Sequence, residues 1–153
     1  MHNLQAVLGT APVVSDLAGR WHHARVVDLP QGFALIPLTR ALREDIDELV
    51  GDDRKQEFPS FESLSDAVAE IVRDASSLGP LAVVEAEFFG GVGEQRSVVW
   101  EGRQVVLGPL DHPRSVNAAL KQLGVQAPDW CDEFDALHLV KYRSTEDANQ
   151  FAS

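Results

Sequence analysis

The stretch PLAVVEAEFFGGVGEQRSVVWEGRQVVLGPL, from Pro80 to Leu110, constrains the fold more than any other part of the chain. Leu81 to Phe89 is rich in Val and Phe and is closed by Gly90-Gly91, a strand composition with a turn stop. Side chains alternate faces along a strand. Ala82, Val84, Ala86 and Phe88 therefore make one wholly apolar face, and Leu81, Val83, Glu85, Glu87 and Phe89 make a mixed one. Further on, Ser97-Val98-Val99-Trp100 and Arg103-Gln104-Val105-Val106-Leu107 flank Glu101-Gly102. Glycine at the second turn position supplies the positive φ of a two-residue hairpin turn. That register pairs Trp100 with Arg103 and Val98 with Val105. It sets the Trp100 indole under the Arg103 guanidinium, a contact of about 0.5–1 kcal/mol. Gly108-Pro109 is expected to end the strand, because Pro has no N–H for the ladder.

The rest of the chain supplies partners for this core. Leu4 to Leu8 reads as a strand and Pro12 to Arg20 as a helix. Ala24–Leu29 and Phe33–Leu38 form a hairpin around Pro30-Gln31-Gly32. Thr39 caps a helix over Arg40 to Val50, with Leu42, Ile46, Leu49 and Val50 as its buried stripe and Arg43 paired to Asp47. The strongest helical periodicity runs from Phe61 to Leu78, after Ser60 as cap and before Gly79-Pro80 as stop. Later helices are expected at Ser115–Leu123, at Asp132–Leu139 and after Ser144. Helices and hairpins alternate without regular βαβ units. The fold class is therefore α+β: a single domain over 1–153, with an antiparallel-rich sheet of about five strands and helices mainly on one face.

Charge narrows the partners. The formal net charge is −11, which repels a phosphate backbone and excludes nucleic acid as the expected ligand. A basic protein partner suits it. Glu44 to Glu57 concentrates seven acids against two bases, Arg54 and Lys55. Cys131 is the one cysteine, so no intrachain disulfide forms and a reducing cytoplasm is the expected compartment. No apolar run approaches the ~20 residues that span a bilayer, and MHNLQAVLG has no basic region ahead of a long apolar segment. Neither a membrane nor a secretory signal is expected.

Few residues hint at chemistry. The glycines Gly90, Gly91 and Gly93, with Glu94 and Gln95, could turn backbone N–H groups toward an anion. However, they feed a hairpin rather than a helix and lack a Lys-Ser/Thr pair, so neither phosphate-loop pattern is matched. Glu85 and Glu87 share a strand face at a spacing of about 6.5–7 Å, with Glu94 just beyond. Such carboxylates do acid–base work, hold a divalent cation, or simply meet water. Trp100 is a candidate contact residue beside them. Cys131 with Asp132, Glu133, Asp135 and His138 has no zinc spacing, and the acids raise the thiol pKa. His22 and His23 are adjacent, so on a helix or a strand their rings point apart and share no metal. GxSxG, HExxH and DxDxDG are all absent. No enzyme and no cofactor is indicated.

Several segments together resemble a group of small uncharacterised bacterial proteins, mostly actinobacterial. They are Phe89-Gly90-Gly91-Val92-Gly93-Glu94-Gln95, Val99-Trp100, Gly108-Pro109, Val116-Asn117-Ala118-Ala119-Leu120, Leu123-Gly124-Val125, Asp132-Glu133-Phe134-Asp135-Ala136-Leu137 and Arg143-Ser144-Thr145-Glu146-Asp147. The group has no established activity, so the resemblance implies no catalytic residue. In general type the chain is also similar to immunity proteins, small acidic α+β inhibitors of toxins. The leading expectation is a non-enzymatic cytoplasmic protein-binding module, an immunity-like inhibitor of a basic partner. Glu44–Glu57 with Glu85, Glu87 and Glu94 would form its surface. The alternative is a small-molecule or divalent-metal site at Gly90–Gln95 with Glu85, Glu87 and Glu94. A third reading is a homodimer through the face bearing Val98, Trp100, Val105 and Leu107.

Overall fold

A computed structural model describes residues 2–51, 53–89 and 92–152. The strands are β1 (His2–Thr10), β2 (Val27–Asp28), β3 (Phe33–Pro37), β4 (Leu81–Phe89), β5 (Val92–Glu101) and β6 (Gln104–Asp111). They form one sheet in the order β2-β3-β1-β4-β5-β6, with every neighbour antiparallel. The helices are α1 (Ala11–Ala18), α2 (Arg40–Val50), α3 (Asp66–Ala75), α4 (Ser115–Leu123), α5 (Glu133–Ala136) and α6 (Thr145–Gln150).

The class is α+β, as expected, but the sheet has six strands and helices cover both of its faces. The reason lies in the central strands, which are apolar on both sides. Val7, Leu81, Val83, Val98 and Trp100 pack toward α1, α2 and α3. Leu4, Leu8, Ala82, Val84, Ala86 and Val99 pack toward α4, α5 and α6. A strand buried on both faces needs a layer on each. The mixed face of β4 is therefore core at Leu81 and Val83, and turns polar only from Glu85 onward.

Capping chemistry fixes most helix ends. Thr39 Oγ1 accepts from Leu42 N at 3.3 Å and opens α2, which Gly51 closes at φ 80°. Asp132 and Ser144 open α5 and α6 in the same way. Two expectations on this side of the sheet fail. Arg43 does not pair with Asp47; its Nε donates to the Leu38 carbonyl, and Asp47 accepts from Ser65 Oγ at 2.6 Å. The helix expected from Phe61 begins only at Asp66, with Ser65 Oγ accepting from Val68 N. Residues 53–65 instead form an irregular strap of bends and turns that buries Phe58, Phe61 and Leu64.

The second hairpin also shifts. Glu101 faces Gln104 and Trp100 faces Val105, so the turn residues are Gly102 and Arg103, both with positive φ. Such a turn matches the twist of its strands, which a turn at Glu101-Gly102 with negative first φ would not. Trp100 does not meet Arg103. The Arg103 guanidinium reaches Asp74 at 2.7 Å, while Trp100 lies in the core. β6 runs on through Gly108-Pro109 to Asp111, because an edge strand tolerates a missing N–H.

Candidate functional site

Glu85 of β4 forms a structural clasp rather than part of an open site. Glu85 stands between Gln5 of β1 and Arg96 of β5 in the sheet register and is 2 % exposed. Its Oε1 accepts from Glu62 N at 3.0 Å and from Arg96 Nε at 2.9 Å. Its Oε2 accepts from Ser63 N at 2.8 Å and from Ser63 Oγ at 2.5 Å. One buried carboxylate thus ties the strap to the sheet, with every acceptor direction used. Gln5 Nε2 adds a bond to Glu62 Oε2 at 2.8 Å. Burial alone would push the Arg96 guanidinium down. The hydrogen bond and charge of Glu85, with Asp111 and Glu62, outweigh that and hold it above its ordinary value.

The other expected site residues disperse. Gly90 and Gly91 lie outside the described residues. Gly93, Glu94 and Gln95 belong to β5 rather than to a loop. Gly93 is there for space: a Cβ would sit 2.2 Å from the Phe88 ring. Gln95 points to the opposite face, where its Oε1 accepts from Val116 N at 3.1 Å and serves the first turn of α4, which has no side-chain cap of its own. Trp100 is 0 % exposed, with the Phe58 ring edge-on at 5.5 Å. Only Glu87 and Glu94 face one another across the strands, half-buried and exposed, with Arg96 Nη1 3.5 Å from Glu94. Among the described residues no group of His, Cys, Asp or Glu is placed to hold a metal ion.

A different place combines exposure, concavity and chemistry. After α1 the chain makes a tight turn, closed by the bonds of Trp21 N to the Ala18 carbonyl and of Ala24 N to the Trp21 carbonyl. Arg25 Nη1 pins it by donating to the His22 carbonyl at 2.8 Å and the Ala24 carbonyl at 3.1 Å. Because this segment is neither helix nor strand, the His22 and His23 rings do not point apart; their centroids are 4.9 Å from each other, edge to face. His23 Nδ1 bonds the Asp45 carboxylate of α2. Between turn and helix runs a groove of ≈ 550 Å³ lined by Trp21, His22, His23, Asp45, Glu48 and Leu49.

Leu49 departs most from expectation. It belongs to the apolar stripe of α2 by spacing, yet Leu42 and Ile46 are buried while Leu49 is 77 % exposed. The helix ends one residue later, and Val50 takes the inward position there. Sharing the Trp21 wall is a small apolar cavity of ≈ 20 Å³ whose lining includes Leu17, Leu42, Ile46 and Val72. It is apolar, so it stays dry. Trp21 forms a wall of both spaces, and its indole Nε1 is buried without a partner among the described residues. The sequence carried one signal for this place, the run Trp21-His22-His23, which periodicity does not read.

A second cleft, of ≈ 550 Å³, lies between β6, α4 and α5 and includes His112, Arg114, Lys121, Cys131 and Glu133. Partial burial, then Asp135, Asp132 and Glu133, push the Cys131 thiol up, which keeps it protonated and a poor nucleophile. Asp132 is occupied as the α5 cap and by Asn117 Nδ2 at 3.1 Å.

Compared with protein-family models, with curated proteins and with solved structures, the chain has no significant match. The described residues form an antiparallel α+β fold, acidic overall, with an aromatic-walled groove beside α2. No helix among the described residues is long and apolar enough to cross a membrane.

Proposed function

We propose that this chain is a non-enzymatic protein-binding module that meets a basic partner with the acidic face of α2, in the manner of an immunity-type inhibitor working in the cytoplasm. The observation that supports it most is Leu49, a large apolar side chain left uncovered at a groove rimmed by Asp45 and Glu48. An apolar anchor inside a charged rim is the make-up of an interface patch. The net charge of −11 draws a cationic protein toward it and acts mainly on the rate of encounter. Glu87 and Glu94 supply a further acidic patch at the far end of β4 and β5. A metal or small-ligand site at Gly90–Gln95 would have to do without Glu85, whose carboxylate already accepts four hydrogen bonds.

The test is site-specific photocrosslinking in the source cells, from a photoreactive residue at position 44, one helical turn from Glu48. The expected product is a protein of basic pI that forms a one-to-one complex when both are purified. Its association rate falls between low and physiological salt, and Leu49→Asp abolishes the crosslink. A partner of acidic pI, or a crosslink indifferent to Leu49→Asp, overturns the reading. An association rate indifferent to salt removes its electrostatic part.

A further inference from the structure

The geometry points to an arginine side chain of the partner as the group that enters the groove between the Trp21–His23 turn and α2. The inference rests on the protein-binding reading above and names the chemistry of its anchor. One wall carries three successive aromatic rings, Trp21, His22 and His23; the other carries Asp45, Glu48 and Leu49. An aromatic wall facing carboxylates selects a cation with a flat or apolar body. The ring face attracts the charge, the carboxylate pairs with it, and an aliphatic side chain covers the stem.

Among protein cations the guanidinium fits both walls. It is planar, stacks on an indole, and offers two parallel N–H donors to one carboxylate. An ammonium does neither. The two acids are not equivalent. Asp45 is engaged by His23, whereas Glu48 makes no hydrogen bond or ion pair among the described residues. Glu48 is therefore the carboxylate free to take the fork. Neither arginine near the turn fills the place: Arg25 is spent on the turn carbonyls and Arg20 on Asp16.

The experiment is a titration of the full ¹⁵N-labelled chain at low salt with N-acetyl-arginine amide, with N-acetyl-citrulline amide of the same shape but no charge, and with N-acetyl-lysine amide. The three indole N–H signals report separately, with buried Trp100 and exposed Trp130 as controls. The expected result is a saturable shift at the Trp21 indole and the Glu48 and Leu49 amides. Binding is about tenfold tighter for arginine than for citrulline and is lost in Glu48→Gln, an exposed substitution that leaves the fold intact. Equal binding of arginine and citrulline, or equal shifts at Trp130, overturns the inference. Equal binding of lysine overturns the choice of guanidinium. Trp21 shifts that arise from protein concentration alone assign the groove to a second copy and overturn it as well. If arginine fails while the crosslink from position 44 survives, this inference falls and the protein-binding reading stands.

Discussion

Two acidic regions of one molecule meet opposite fates. On β4 and β5, Glu85 is sealed under the strap and shared among four donors. On α2, Glu48 stands beside an uncovered Leu49 and an aromatic turn, with no partner among the described residues. Glutamate itself does not decide the difference; what lies opposite does. In the sheet register Arg96 faces Glu85, and two free backbone N–H groups of the strap arrive on the same carboxylate. No described residue crosses over to Glu48. A buried, saturated carboxylate holds structure, and an exposed one beside apolar surface is available for recognition.

The largest effect expected from this contrast is at Glu85. Glu85→Ala removes the partner of a buried guanidinium and leaves Glu62 N and Ser63 N without acceptors. A loss of about 3–5 kcal/mol in urea unfolding is expected. Truncating one partner of a buried pair costs more than the pair contributes, so replacing Glu85 and Arg96 together by Met should cost less than Glu85→Ala alone. A Glu85→Ala loss under about 1 kcal/mol would break the distinction, because such values belong to surface pairs.

The strap also shows how far the sequence could be read. Ser60, Ser63 and Ser65 are all good helix caps, and apolar spacing continues back to Phe61, so periodicity favours the longer helix. Only the fold brings Glu85 to the N–H groups of Glu62 and Ser63, which a first helical turn would otherwise have left to solvent. Local pattern was sufficient where the deciding contact is local: Thr39, Gly51, Ser144 and the full span of β4 were all legible. It failed where the contact is remote, as at Trp100, whose burial depends on Phe58 of the strap. It also failed at Leu49, because α2 ends one residue later and Val50 takes the inward position.

A smaller effect sharpens the same boundary. Ser65 caps α3 and donates to Asp47 of α2, so it joins the strap's end to the helix that carries the groove. Ser65→Ala should cost about 1–2 kcal/mol, the cap together with one hydrogen bond to a charged group. A cost near zero would mean that α2 and α3 are held by their apolar contacts alone. At the other end of the sheet, Arg103 sits in the turn at φ 70°, a conformation a side chain adopts at a cost. Its ion pair with Asp74 is exposed and weak. Arg103→Gly should therefore raise stability by about 0.5–1 kcal/mol, measured as a higher midpoint in urea.

The smallest effect on stability is expected where the largest effect on function should fall. Leu49 is 77 % exposed, so Leu49→Asp removes little buried surface and should shift unfolding by no more than about 0.5 kcal/mol. The same substitution puts a charge where a partner's apolar surface would dock, and a desolvated, unpaired charge at the centre of an interface costs several kcal/mol. Stability and binding should thus separate between the two regions: Glu85→Ala strongly destabilises the chain, and Leu49→Asp leaves it folded but unable to bind. If Leu49→Asp proved as destabilising as Glu85→Ala, Leu49 would be part of the core in solution. The groove beside α2 would then be closed, and the acidic helix would lose its anchor for a partner.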